Sequence, residues 1–312
     1  TIKRKSQERK AIKQKFTLTV ANWAGVNTGD DAIFLALAEL IKKVSKKLFK
    51  KTELFVLADN DILIKDKYGN ICRIKDTIRI FEFFRLFNLP KIIKFLKKSD
   101  ILIYGGGDLI NGNIQSMTLL SLAKILGLPV ILMGVGATPI NSKFRKIMTK
   151  LILNHVDVIS VRDEKSKYYL INLGITKPKI YVTSDLSFLL SPPSNKNNIS
   201  DELAKDSSKY LIGINIRPYD PMYAAYSIWN ERDIIKVFAR VCNRLIDSYD
   251  VHLVFIPMVI RHRTVPYHKG IKSDYELFLE LMKFIKNKNR ISIIKHDYTP
   301  KELLKLLSKL DI

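Results

Sequence analysis

Cysteine is almost missing from this chain. Only Cys72 and Cys242 occur among 312 residues, far apart and without paired spacing, which excludes a disulfide framework and a cysteine-based zinc site. A reducing, cytoplasmic setting is expected. No apolar run is long enough for a membrane span: the longest weakly charged stretch, Leu119 to Ile140, is broken by Lys124 and by Gly127-Leu128-Pro129, and reads as helix, turn and strand. No signal-peptide pattern opens the chain. Acidic residues are scarce, 30 against 53 lysines and arginines, for a formal net charge of +23. Basic residues nevertheless do not cluster in a stripe with interleaved aromatics, so nucleic acid is not the expected partner. Lysine spread over solvated faces accounts for the excess, and the field it creates would draw phosphorylated substrates or an anionic membrane surface. Also absent are a G-x-G-x-x-G fingerprint, a P-loop lysine with its hydroxyl, a Cys-His pair, a metal cluster and a nucleophile elbow. Neither a metal nor a dinucleotide cofactor is expected.

What is present centres on 99–111, SDILIYGGGDLIN. Ile101 to Tyr104 suit a strand buried on both faces of a parallel sheet, and Gly105, Gly106 and Gly107 then predict a sharp turn exposing backbone N–H groups. In open α/β sheets ligands bind beyond the carboxyl ends of strands, where bare amides approach phosphate or carboxylate oxygens. Asp108 follows the glycines.

The rest of the chain repeats strand, loop, helix. A β-rich run over 16–22 leads into AGVNTGDD, which contains Gly25, Asn27, Gly29 and Asp30, and then a helix from about Ala32 to Leu48. Ile33, Leu37, Leu40, Ile41, Val44 and Leu48 share one face of it, and Asp30 or Asp31 suits its cap. Strands are expected over 53–58, 130–133, 158–161 and 180–183. Helices are expected over 78–96, 114–126, 142–154 (a basic one) and 164–173. This alternation predicts a doubly wound parallel sheet. SPPSNKNN at 191–198 reads as a linker. A second alternation follows, with strands over 211–216, 251–257 and 291–295 and helices over 231–248, 273–286 and from Thr299-Pro300, where Thr299 and Glu302 form a capping box. The expected organisation is a basic arm over 1–15, an α/β domain over 16–190, a linker over 191–209 and a second α/β domain over 210–312. The chain opens on Thr1 without methionine and closes at Asp311-Ile312 where a strand is due, so a fragment with an incomplete second domain is expected.

Two arginines follow apolar strands directly, Arg162 and Arg217. An always-charged fork there suits bidentate capture of carboxylate or phosphate. For Arg162 an ion pair with Asp163 or Glu164 competes with that reading. Asp185 follows the strand over 180–183, either lining a cleft or closing an Asx turn. His262 and His268 stand on a loop after a strand, where a general acid or base is useful and where solvated surface histidines are also common. His155 reads as structural.

NWAGVNTGDDAI at 22–33, DILIYGGGDLIN at 100–111, MGVGATPI at 133–140, VRDEKS at 161–166, VTSDLSFLL at 182–190 and GINIRPY at 213–219 together resemble the polysaccharide pyruvyl transferase family. The resemblance implies two Rossmann-like domains facing across a cleft, as in type B glycosyltransferases. It implies transfer of a pyruvyl group from phosphoenolpyruvate to a sugar of a cell-surface polysaccharide or its lipid-linked precursor, as a ketal, with phosphoenolpyruvate as substrate and no cofactor. Arg162 and Arg217 are then expected to hold the donor, with amides near Gly105–Gly107 and Gly25–Gly29 contributing to substrate binding. The family's Arg-Leu-His motif would fall just beyond Ile312, so the expected catalytic histidine is not among these residues. Lipid-linked acceptors would bring the enzyme to the inner face of the membrane, aided by its positive charge. Two rival readings stay open: a nucleotide-sugar glycosyltransferase of the same architecture, and a non-catalytic polyanion-binding protein.

Overall fold

The computed structural model describes residues 15–25, 27–48, 51–58, 60–69, 73–79, 89–193, 210–217, 231–260 and 273–312. Nearly all of the basic arm, most of the linker, Cys72, His262 and His268 lie outside the described residues. The chain divides into two compact units, Thr1–Gly25 with Asp30–Leu190, and Val26–Gly29 with Ser191–Ile312.

The first unit is built on strands β1 (Lys15–Ala21), β2 (Lys51–Ala58), β3 (Ile74–Arg79), β4 (Ile101–Ile110), β5 (Val130–Ala137), β6 (Val158–Val161) and β7 (Lys179–Val182). They form one seven-stranded sheet in the order β3-β2-β1-β4-β5-β6-β7, every pair parallel. Helices α1 (Thr28–Leu48), α2 (Asp61–Tyr68), α3 (Leu89–Lys98), α4 (Ile114–Ile125), α5 (Lys143–Leu153) and α6 (Glu164–Leu173) make the crossovers. A parallel sheet covered on both faces requires central strands that are apolar throughout. Leu102, Ile103, Tyr104, Val130, Leu132 and Val135 are accordingly buried. The order reverses between β1 and β4, the point at which such sheets open a crevice beyond their carboxyl ends.

Several elements depart from the sequence reading. Ile78 belongs to β3, where it is buried, and the helix expected over 78–96 is described only from Leu89 onward. α1 begins at Thr28, so Gly29 and Asp30 lie in its first turn and not in a loop. Its buried face ends at Ile41, while Val44 and Leu48 are exposed.

The second unit holds a three-stranded parallel sheet, β10 (Ile291–Ile293), β9 (Val251–Phe255) and β8 (Tyr210–Ile214) in that order. Helices α7 (Glu231–Ser248), α8 (Asp274–Leu281) and α9 (Pro300–Leu307) accompany it. Phe255 stacks on Phe278 with ring centroids 4.6 Å apart at the centre of its core. Thr299 and Glu302 form the reciprocal capping box that opens α9. Asp311 donates its N–H to the Leu211 carbonyl at 2.9 Å, and Gly213 donates to the Ile312 carbonyl at 2.8 Å, so these last residues lie along the free edge of β8.

Candidate functional site

The three glycines do not end β4. The strand continues to Ile110, with Gly105 paired to Met133 and Gly107 to Val135, and the ladder shifts register between Gly107 and Ile110. The open turn with displayed amides is therefore replaced by a buried, irregular strand segment. Gly106 explains why: its φ is +79°, and a Cβ there would lie 1.7 Å from Cγ2 of Ile33 in α1. Only glycine lets the helix press so closely on a strand of that conformation. Directly before the run, Tyr104 is fully buried with its hydroxyl hydrogen-bonded to Ser116 Oγ, and burial pushes its pKa up to about 12.

Asn22, at the end of β1, spans the switch point. Its Nδ2 donates to the Gly105 carbonyl at 2.5 Å, and its Oδ1, fully buried, meets no hydrogen-bond donor among the described residues. The loop that follows is held from below by Asp31. That carboxylate, buried near the start of α1, accepts the Gly25 N–H at 2.6 Å and the Tyr68 hydroxyl at 3.2 Å, with Lys67 Nζ at 4.0 Å. Asp31 thus anchors the loop. Asn27 Oδ1 accepts the Gly29 N–H at 2.7 Å, an Asx turn. An oxygen of Asp30 lies 3.6 Å from where a Cβ on Gly107 would stand.

Beside this crevice, the ends of β4, β6 and β7 bring four charged side chains together. Arg162, one-third exposed, places Nη2 3.3 Å from Asp108 Oδ1, Nε 3.6 Å from Asp163 Oδ2 and Nη1 3.7 Å from Asp185 Oδ2. Each nitrogen of the fork faces a different carboxylate. Two of the three acids are also fixed by local backbone. Asp163 caps α6 by accepting the Ser166 N–H at 2.6 Å; that hydrogen bond, then a second one from Ser166 and the charge of Arg162, hold its carboxyl below the usual carboxylate range despite partial burial. Asp185 caps the 3₁₀ turn Leu186–Leu189, accepting from Ser187 N at 3.0 Å and Ser187 Oγ at 2.8 Å. Asp108 has no such cap, and its place is cleared by Gly136, where a Cβ would fall 2.4 Å from Asp108 Oδ1 and 2.9 Å from Arg162 Nε. Three carboxylates against one guanidinium leave the cluster acidic. It suits hydrogen-bond acceptance from hydroxyl groups better than capture of an anion.

In the second unit, Arg217 lies three residues past β8 and is exposed, with no ion pair among the described residues. Asn215, between them, donates to the Ile256 carbonyl at 2.7 Å. A cavity of about 330 Å³ at this edge is lined by Gly213, Asn215, Ile256 and Met258 together with residues of the C-terminal stretch. His155 is engaged locally, its Nδ1 donating to the Leu151 carbonyl at 2.7 Å near the end of α5. Among the described residues no group of three or more His, Cys, Asp and Glu side chains is arranged to hold a metal, and no helix is long and apolar enough to cross a membrane.

Asn22, Asp31 and Asp163 thus belong to the arrangement alongside the residues singled out from sequence. The signal for Asn22 was a polar residue closing an apolar strand. For Asp31, the capping preference of aspartate at a helix start masked its contact with the loop, whereas Asp163 was read as an ion-pair partner of Arg162 and its cap on α6 was missed.

A parallel, doubly wound sheet with anchored loops and an Arg–carboxylate cluster at its carboxyl edge makes the first unit an α/β, Rossmann-like fold. The chain belongs to the polysaccharide pyruvyl transferase family, a model of which matches residues 27–312, and it is accordingly a polysaccharide-modifying transferase. No curated protein gives a significant match. Among solved structures it is similar to S. aureus MnaA in a co-structure with UDP, at 14% identity over 94% of this chain and 71% of that one, with a TM-score of 0.58. The UDP-GlcNAc 2-epimerase of Methanocaldococcus jannaschii aligns at 15% identity over 93% of this chain and 76% of that one, with a TM-score of 0.56. The Neisseria meningitidis enzyme bound to UDP-GlcNAc aligns at 15% identity over 95% and 75%, with a TM-score of 0.56. At such identities the likeness is one of fold.

Proposed function

We propose that this transferase moves the pyruvyl group of phosphoenolpyruvate onto two hydroxyls of a sugar in a polysaccharide or its lipid-linked precursor, forming a ketal. The match to the family over residues 27–312 carries this reading. In the reaction the enol methylene takes up a proton, two C–O bonds form at the central carbon, the bond to the phosphate oxygen breaks, and the two hydroxyl protons end on the methyl group and on phosphate. Such chemistry needs acceptors for the hydroxyl protons and cationic support as phosphate leaves.

The acidic cluster supports the first requirement. In this reading Asp108 and Asp185 receive the acceptor hydroxyls, and Arg162 orients both carboxylates. Arg217, exposed past β8, supplies positive charge to the donor's carboxylate or phosphate. A lipid-linked acceptor and a metabolite donor would bring the reaction to the inner face of the membrane.

The test is donor choice. Calorimetry on the full-length protein should register binding of phosphoenolpyruvate, and phosphate release should require an acceptor glycan whose mass rises by one ketal-linked pyruvyl group. Arg217→Ala should weaken donor binding at least about tenfold. Consumption of a nucleotide sugar with no use of phosphoenolpyruvate would replace this reading with glycosyl transfer.

A further inference from the structure

Helix α5 carries its apolar side chains on the wrong face for a helix that covers a sheet. Thr149 and Leu153 are buried against the first unit's core. Phe144, Ile147, Met148 and Leu151, spaced as i, i+3, i+4 and i+7, are instead exposed, at 66%, 58%, 37% and 54%. With about 100° per residue, this stripe is centred about 170° around the helix from the buried pair, so it points straight away from the sheet. An amphipathic helix normally turns such a stripe inward, and four large apolar side chains in line make a continuous ridge, not scattered surface residues.

The flanks of the ridge are basic. Within the eleven residues of α5 stand Lys143, Arg145, Lys146 and Lys150, and no acidic residue. By the same rotation Lys143 and Lys150 border the ridge on one side and Arg145 on the other. The neighbourhood continues the pattern. Because β4 to β7 are consecutive in the sheet, the right-handed crossovers α4, α5 and α6 lie side by side on one face, with α5 in the middle. Their outward sides add Ile125 at 81% and Tyr168 at 66% exposure.

We propose that this face of the first unit is a membrane-contact surface, with α5 lying in the plane of an anionic leaflet, its Phe144–Leu151 ridge among the acyl chains and the bordering Lys143, Arg145 and Lys150 at the phosphate level. Charge selects this occupant. A large moment, a basic polar border and an apolar ridge are what an interfacial helix needs, and each cation near an anionic surface adds to the attraction. A second copy of the chain docking isologously would set four cations of one α5 against four of the other, with no carboxylate in either helix to offset them. The surface is independent of which donor the enzyme uses.

Vesicle sedimentation of the full chain tests it. Binding to vesicles of mixed phosphatidylglycerol and phosphatidylcholine, and not to phosphatidylcholine alone, is expected, weakening as salt rises. Phe144→Ser/Ile147→Ser/Leu151→Ser, all at exposed positions, should reduce partitioning at least about tenfold while circular dichroism and the thermal midpoint stay unchanged. Lys143→Glu/Lys150→Glu, at the border of the ridge, should do the same through charge. Vesicle binding that is equal in wild type and triple variant would overturn the assignment. So would light scattering that finds a dimer abolished by the triple variant in a protein that ignores vesicles, or an Ile147→Cys thiol unreactive to maleimide in vesicle-free protein, because something else would then cover the ridge.

Discussion

A guanidinium facing three carboxylates is a different object from a free arginine at a strand end. Arg162 and Asp163 were both legible as charged residues after an apolar strand, and even their local pairing was foreseeable. Asp108 and Asp185, 54 and 23 positions away, join them only because β4, β6 and β7 end at one edge, which no spacing along the chain encodes. The dependence of the cluster on Gly136 gives a sharp prediction. Gly136→Ala puts a methyl group 2.4 Å from Asp108 Oδ1 and 2.9 Å from Arg162 Nε, so the pair must separate. Turnover, followed as phosphate release from phosphoenolpyruvate, should fall at least about tenfold with the far-ultraviolet circular dichroism unchanged. Asp163 carries a second expectation, about stability. Its cap on α6 is worth about 1 kcal/mol at neutral pH, the Arg162 share being small because the carboxylate is half exposed. The folded pKa is lowered, so this stabilisation is fully present above the unfolded carboxyl pKa and is lost as pH falls through the folded value. Urea titrations of wild type and Asp163→Ala should therefore differ at pH 7 and converge in acid.

At the scale of elements, most strands and helices of both units could be read from periodicity, and the capping box of α9 from two residues. β3 and α2 were not foreseen, and β4 was read only in part. Three consecutive glycines signal a turn because nothing local keeps them in a strand; what keeps them there, two with positive φ, is the parallel ladder to β5 on one side and the approach of α1 on the other. Tertiary packing has overridden local preference, which is common for strand conformation. Gly106→Ala should then be among the most destabilising single changes in the first unit, by at least about 2 kcal/mol, because it adds left-handed strain to overpacking against Ile33. Adding Ile33→Ala removes the colliding Cγ2 and should recover the overpacking part only. A denaturation double-mutant cycle reads this as a favourable coupling. Additive losses would mean that strain in β4, and not the helix contact, sets the requirement for glycine.

Over the whole molecule, 26–29 group with the second unit, a placement that was not legible in the sequence because it depends on contacts more than two hundred residues apart along the chain. Charge is the one property that sequence gives for the molecule entire, and at +23 it has a kinetic consequence. A donor bearing both a carboxylate and a phosphate diffuses toward a strongly positive surface faster than a neutral solute does, and salt removes the advantage by shortening the Debye length from about 10 Å at 0.1 M to about 3 Å at 1 M. For the proposed reaction, kcat/KM for phosphoenolpyruvate should fall several-fold over that range while kcat at saturation holds. The KM for a neutral acceptor sugar should stay flat, because no long-range field acts on it. Steady-state kinetics at several chloride concentrations, with each substrate varied in turn, separate this from a salt effect on the fold, which would depress both substrates and kcat together. A flat donor profile would mean that the lysines serve only their local surfaces, α5 among them.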